Sequence, residues 1–273
     1  MIIPHIQSDL TKLDTWCTKW SMHFSPSKCL SLSYKCYLPP DQLTLHDCLI
    51  PNETCVRDLG LYYSCTFNFS EHIALQVAKA RKLSFLILRS FQLRDSRITV
   101  FKTHVRPLLE YCSFLFSNIR KCDSKAIESI QRKFSKVICS TGLSYRQRCE
   151  QLQLRPLWFR RITLNILFLF RLIYNITYSN SGPISFAEKK CYNLRKNKYL
   201  LPVPKCRTVT RHHFFLNRYS HLWNRLPEII RTSSSLQLFK SQLHTHLNPE
   251  SIHTLFTPAC TLDDFYENGL MGY

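Results

Sequence analysis

Glycine is nearly missing. Gly60, Gly142, Gly182, Gly269 and Gly272 are all that the 273 residues hold, where average usage of about 7% would supply roughly 19. Loops of the GxGxxG and GxxxxGK type need clustered glycines so that backbone can approach a phosphate, and no two of these five make one. Dinucleotide-binding and P-loop enzymes are thereby excluded, as is the GxSxG serine elbow. No two cysteines stand at C-x-x-C spacing, so the strong zinc signature is missing. The nearest cluster, Cys191, Cys206, His212 and His213, fits no knuckle spacing, and no metal site is expected. No run reaches the roughly 20 apolar residues of a membrane span. The most apolar stretch, 162–176, holds Asn165 and Arg171 and reads as a buried helix. Met1-Ile2-Ile3-Pro4-His5 has neither the basic nor the apolar region of a secretion signal. The 13 cysteines are therefore expected to be reduced thiols in an intracellular protein of the cytoplasm or nucleus, not a secreted one.

What is present is apolar enough for a globular core, at 45% hydrophobic and 20% charged. The charge is uneven. Residues 1–70 carry 5 basic and 6 acidic groups; residues 71–246 carry 32 and 8, a net +24; residues 247–273 carry 0 and 4. A neutral first quarter joined to a basic body suggests two units with different work. A body of that charge collects polyanions, nucleic acid foremost.

Hydrophobic spacing predicts the elements. Ile6, Leu10, Leu13, Trp16 and Trp20 form one apolar face of a helix over 5–20. Strands are expected at 30–34, 43–45 and 56–63, as one small antiparallel sheet. From Asn68, with Glu71 in capping-box position, helices are expected to about 91, from Ser96 to a kink at Pro107, and from an Asp123 cap toward Gly142. Further helices are expected over 145–152, from Pro156 to about 177, over 213–224 and over 235–247. Residues 190–211 read as extended or loop, and those after Asn248 as a loosely held acidic tail. The fold class is α+β, mostly α: a helix with a small antiparallel hairpin, then a helical bundle and a mixed C-terminal region. The first piece is too small to bury much by itself and needs a neighbour.

Six segments resemble, in family order, the reverse transcriptases of non-LTR retrotransposons of the LINE or jockey type. The first is Leu13-x-x-Trp16-x-x-x-Trp20-x-Met22-x-Phe24-x-Pro26-x-Lys28-Cys29, which is similar to the run after the polymerase active site. Asp58-Leu59-Gly60 looks like the DLG of the next hairpin, and Arg106-Pro107-Leu108-Leu109-Glu110-Tyr111 like RPxLEY. Ile127-Glu128-x-Ile130-Gln131-Arg132 resembles IExxQR, and Leu152-x-Leu154-x-x-Leu157-x-x-Arg160-Arg161 resembles LxLxxLxxRR. Trp223-Asn224-x-Leu226-Pro227 with Phe239-Lys240-x-x-Leu243 resembles the closing WNxLP and FKxxL.

The resemblance implies a map. Residues 1–68 would be a palm-end remnant, 69–178 a helical thumb, 179–247 a basic connection and 248–273 the acidic tail. The family's polymerase uses carboxylates that hold two Mg²⁺ ions, and these lie upstream of the Trp16–Trp20 helix, where this chain leaves no room for them. Asp263-Asp264 stands at the wrong end. The expectation is thus a truncated remnant with no catalytic residue, no resident cofactor, no small-molecule substrate and no enzyme activity of its own. Lys28, implied to protonate the departing pyrophosphate, and Asp58 and Gly60, implied to shape a primer-side hairpin, would be vestigial; as plain residues they are a surface lysine and a turn pair. Candidates for sequence-independent contact with a primer–template duplex or RNA are Lys125, Arg132, Lys133 and Lys136 outside the third helix, and Lys196, Lys198, Lys205, Arg207 and Arg211 in the basic loop. The alternative is an inert structural or interaction module that keeps the fold without the binding.

Overall fold

The computed structural model describes residues 3–34, 43–116, 119–139, 142–174, 176, 199–203, 205–208, 211 and 214–251. Of these, 62% are helical and 8% in strands, so the fold is α+β, mostly α. The chain divides into two compact units, Met1–His72 and Ile73–Tyr273.

The first unit opens with helix α1, Ile3–Lys19. Six short strands follow: β1 (Ser31–Leu32), β2 (Thr44–Leu45), β3 (Cys48–Leu49), β4 (Asn52–Glu53), β5 (Cys55–Asp58) and β6 (Leu61–Ser64). They pair as three two-stranded ribbons, β1 with β4, β2 with β3, and β5 with β6. The single antiparallel sheet expected from sequence is therefore not formed, and the β1–β4 pair is parallel. The run 56–63, expected as one strand, folds back on itself: Asp58 pairs with Leu61 across a two-residue turn. Both turn residues need positive φ, +46° at Leu59 and +85° at Gly60, which is the hairpin geometry that matches strand twist.

Helix α1 is attached by its polar edge. The Gln7 side chain mimics a strand, its Nε2 donating to the Thr44 carbonyl and its Oε1 accepting the Thr44 amide, each at 2.9 Å. One face on, His46 Nε2 lies 2.7 Å from the Asp14 carboxylate. The apolar stripe read from the sequence is consequently turned outward. Leu13, Trp16 and Trp20 are 51%, 53% and 61% exposed.

The second unit is built from α2 (Ser70–Ser90, whose first turn lies across the division), α3 (Arg94–Val100), α4 (Arg106–Glu110), α5 (Lys121–Ile138), α6 (Tyr145–Gln151), α7 (Leu157–Ile173), α8 (Phe215–Arg225), α9 (Glu228–Arg231) and α10 (Leu236–His246). The kink expected at Pro107 is spread upstream as a π turn over Phe101–Val105. Proline has no N–H for the carbonyl four residues back, so the turn before it is free to widen. Helix α3 begins two residues ahead of the expected Ser96 cap. Helix α5 likewise begins at Lys121 rather than after Asp123, which sits in the first turn, where a carboxylate suits the helix dipole, and takes the Arg120 Nε at 3.2 Å. Ser144 and Gln147 close a capping box at α6. On α2 the buried face is Ile73, Val77, Ala80, Ser84 and Ile87, with Leu88 only half-buried.

An apolar core lies between α7, α8, α9 and α10, where Phe170 stacks on Phe239 at 4.2 Å and Trp223 lies 5.7 Å from the same ring. Asn165, the polar interruption of α7, is satisfied on both sides: its Oδ1 accepts the Ser113 hydroxyl at 2.9 Å and its Nδ2 donates to Tyr219 Oη at 2.8 Å. The other junction is polar. Glu128, fully buried on α5, accepts the Tyr145 hydroxyl and the backbone amides of Leu157 (3.1 Å) and Trp158 (2.9 Å), the first two of α7. Helix amides at that end have no intrahelical acceptor, so α5 caps α7 from outside. Gln131 Nε2 reinforces the joint, donating to Tyr145 Oη and to the Arg155 carbonyl, each at 3.1 Å. Glu110 and Arg160 form a two-armed ion pair at 2.5 and 2.8 Å.

Truncation of Glu128 strands three buried donors. Glu128→Ala is expected to cost about 3 kcal/mol and Tyr145→Phe about 1–2 kcal/mol, read from urea unfolding midpoints. Burial raises the Glu128 carboxyl above its ordinary value, against the pull of Tyr145, Arg161 and the two amides. A raised folded-state pKa makes the group most stabilising at low pH and less so as pH rises through that pKa. The cost of Glu128→Gln should therefore be larger at about pH 5 than at about pH 8. Burial also pushes the Cys149 thiol up to about 12. Iodoacetamide at mildly alkaline pH should label the exposed Cys48 and Cys122 first and Cys149 only on unfolding, as peptide mapping would show; early modification of Cys149 would contradict this packing.

Candidate nucleic-acid interface

Helix α5 is divided lengthwise. Ser124, Ile127, Glu128, Ile130, Gln131, Phe134 and Ser135 are buried. That inward set fixes the rotation, and the residues between it, Lys121, Lys125, Lys133 and Lys136, are exposed. Lys121, Lys125 and Lys133 fall on one row of i+4 steps, with Lys136 beside its end. From Lys121 to Lys136 the helix runs about 22 Å at 1.5 Å per residue, the axial length over which one strand of a duplex carries about six phosphates. None of the four makes an ion pair among the described residues.

Five of the acids described in this unit are engaged elsewhere. Glu110 holds Arg160, Asp123 holds Arg120, Glu128 caps α7, and Glu150 and Glu250 both hold Arg146 at 3.3 and 2.7 Å. The positive excess is thus left on the surface, with lysines that solvent and counterions alone screen.

Arg132 does not share that surface. It is half-buried, with its guanidinium over the Tyr145 ring at 5.3 Å, a packing position beside the Glu128 joint. Val137, beside Lys133 and Lys136, is 61% exposed. Lys205, Arg207 and Arg211 are exposed. The loop there is pinned by Asn217, whose Nδ2 donates to the Arg211 carbonyl at 2.6 Å and lies 3.2 Å from Cys206 Sγ. Lys196 and Lys198 lie outside the described residues, as do Cys191, His212, His213, Asp263 and Asp264. In the first unit Lys28 ends a short 3-10 turn, Pro26–Lys28, and is exposed; Asp58 and Gly60 form the β5–β6 turn and are not brought to any carboxylate cluster. Among the described residues no three His, Cys, Asp or Glu side chains converge as for a metal, and no helix is long and apolar enough to cross a membrane.

Sequence reasoning missed a second set of cations, Arg155, Arg160 and Arg171 with Lys240 and His244, which line one groove. The signal was present. Arg160 and Arg171 stand eleven residues apart, three helical turns, and Lys240 and His244 one turn apart. The apolar richness of α7 concealed it, because a helix read as buried all round has no outer face to search.

The motif residues meet in space. Glu110 bonds Arg160, Glu128 caps the helix that carries Arg160 and Arg161, and Asn224 pairs with both backbone groups of Leu201 at 2.8 and 2.9 Å while Trp223 packs on Phe239. Set against known proteins, the chain matches no family model, no curated protein and no solved structure.

Proposed function

We propose that this chain is the palm-end and thumb portion of a non-LTR retrotransposon reverse transcriptase, and that its basic helical unit grips a primer–template duplex through phosphates, without reading sequence. The observation that carries this is the α5 lysine set: Glu128, the acid of that helix's middle turns, is consumed inside the fold, and Lys121, Lys125, Lys133 and Lys136 are left on its outer face without an ion pair among the described residues. Phosphate contact of this kind positions a duplex and carries no base information. The first unit fits the same reading. Its outward-turned Leu13, Trp16 and Trp20 are what a palm fragment exposes when the sheet that would cover it is elsewhere. The six motif segments add the family order, although residues of the later ones, Glu110, Glu128, Gln131 and Asn224, are engaged in packing contacts.

That last observation also favours a second reading, an inert interaction module. Residues such as Glu128, Gln131 and Asn224 keep the fold whether or not it binds anything, so the resemblance can outlive the activity.

Two measurements separate these. Filter binding to a duplex at several salt concentrations should give a log–log slope near −5 if about six phosphates are neutralised, at roughly −0.9 each. Charge reversal of Lys125, Lys133 and Lys136 should flatten that slope by about two or three units and leave helical content unchanged. A slope indifferent to the triple change would make these lysines a solvated face and support the inert module. In a primer-extension assay with Mg²⁺ or Mn²⁺, the purified 273-residue chain should add no nucleotide; extension abolished by chelator would refute the palm-end assignment.

A further inference from the structure

The groove between α7 and α10 has a volume of about 320 Å³, the small end of the range that takes compact ligands. Its walls are cationic. Arg155, Arg160 and Arg171 stand on one side, Lys240 and His244 on the other. Of these, Arg160 is neutralised by Glu110. Arg155, Arg171 and Lys240 form no ion pair among the described residues. Arg155 Nη1 lies 3.0 Å from His244 Nδ1, so the ring nitrogen accepts and the imidazole is neutral there. Burial, Arg155, Lys240 and Arg160 all lower its pKa, in keeping with that tautomer.

The floor is apolar, formed by Leu164, Leu167 and Leu236, with the Phe159 ring beneath the Arg155 guanidinium at 5.4 Å. Three uncompensated cations around such a floor select a ligand with two parts. A bare phosphate or pyrophosphate would leave the leucines wet. A fatty acid would bring one carboxylate to three positive groups. A nucleoside phosphate supplies a dianion for the cations and a flat, weakly polar body for the leucines.

We propose that the α7–α10 groove binds a nucleoside phosphate, its phosphate held by Arg171 and Lys240 and its sugar or base laid on the leucine floor toward Arg155 and Phe159. The same chemistry is offered by a free nucleotide and by the 5′-phosphorylated end of a strand. The site uses none of the α5 lysines and stands apart from the duplex reading.

The test uses the full chain. AMP is titrated directly, and a short oligonucleotide labelled at its 3′ end is compared with and without a 5′-phosphate by fluorescence anisotropy. The 5′-phosphate is expected to tighten binding about tenfold, as one or two charge-assisted hydrogen bonds would. Arg171→Gln combined with Lys240→Gln, both at exposed side chains, should abolish that difference; Arg155→Gln is the second variant, and helical content by circular dichroism shows that each is folded. Lys125→Gln, Lys133→Gln and Lys136→Gln together should leave the ratio unchanged. AMP binding lost in the double variant assigns the groove to free nucleotides. A strand-end preference lost in that variant, without AMP binding, assigns it to strand ends. Equal binding of the two oligonucleotides with no AMP binding overturns the proposal, and so does any phosphate preference that survives the substitutions.

Discussion

The Glu128 carboxylate, sealed from solvent on α5, accepts the Tyr145 hydroxyl and the first two amides of α7, and the helical unit is arranged around that joint. A buried carboxylate is tolerable only when its lone pairs are filled. Three donors fill them here, with Arg161 nearby as the compensating charge. One residue therefore fixes three elements: α5 supplies it, α6 meets it through Tyr145, and α7 begins on it. Gln131, one turn further along α5, holds the same junction through Tyr145 and the Arg155 carbonyl.

This joint decides what the surface carries. With Glu128 facing inward, the rotation of α5 is set, and Lys121, Lys125, Lys133 and Lys136 face out. With Glu110 committed to Arg160 and Glu150 and Glu250 to Arg146, few carboxylates are left to offset the outer cations. The net +24 of residues 71–246 is set by composition, and the fold decides which of its cations face outward. Glu110, Glu128, Glu150 and Glu250 are spent on internal pairs, and the outer face of α5 is left positive.

Much of the helical unit was legible because its periodicity is strong and its breakers are few. Phe134 and Ile130 sit where a 3.6-residue period puts them, and Ser144 with Gln147 is a cap readable from type and spacing. The first unit was less legible. Composition alone reads the run 56–63 as one strand; the positive φ at Leu59 and Gly60 makes it a hairpin, as the resemblance of Asp58-Leu59-Gly60 implied. The stripe of Leu13, Trp16 and Trp20 announced a helix, but not that Gln7 would satisfy Thr44 and turn the stripe outward. Of the candidate cations, the exposure of Lys125, Lys133 and Lys136 followed from the inner face of α5. Arg132 did not, because a long side chain beside an aromatic ring can lie down on it, and one residue of spacing decides whether it does. The α7–α10 groove depends on two helices distant in sequence, which no local pattern joins.

The central claim is that a solvent-free carboxylate carries the start of α7, and native-state hydrogen exchange of the Leu157 and Trp158 amides tests it most directly. Amides at an uncapped helix start exchange through local fraying. Held by Glu128, these two should exchange only with global unfolding and should lose that protection selectively in Glu128→Ala, measured under conditions where the variant remains folded. Fast exchange of both amides in the unaltered chain, at the rate of an open helix end, would contradict the account.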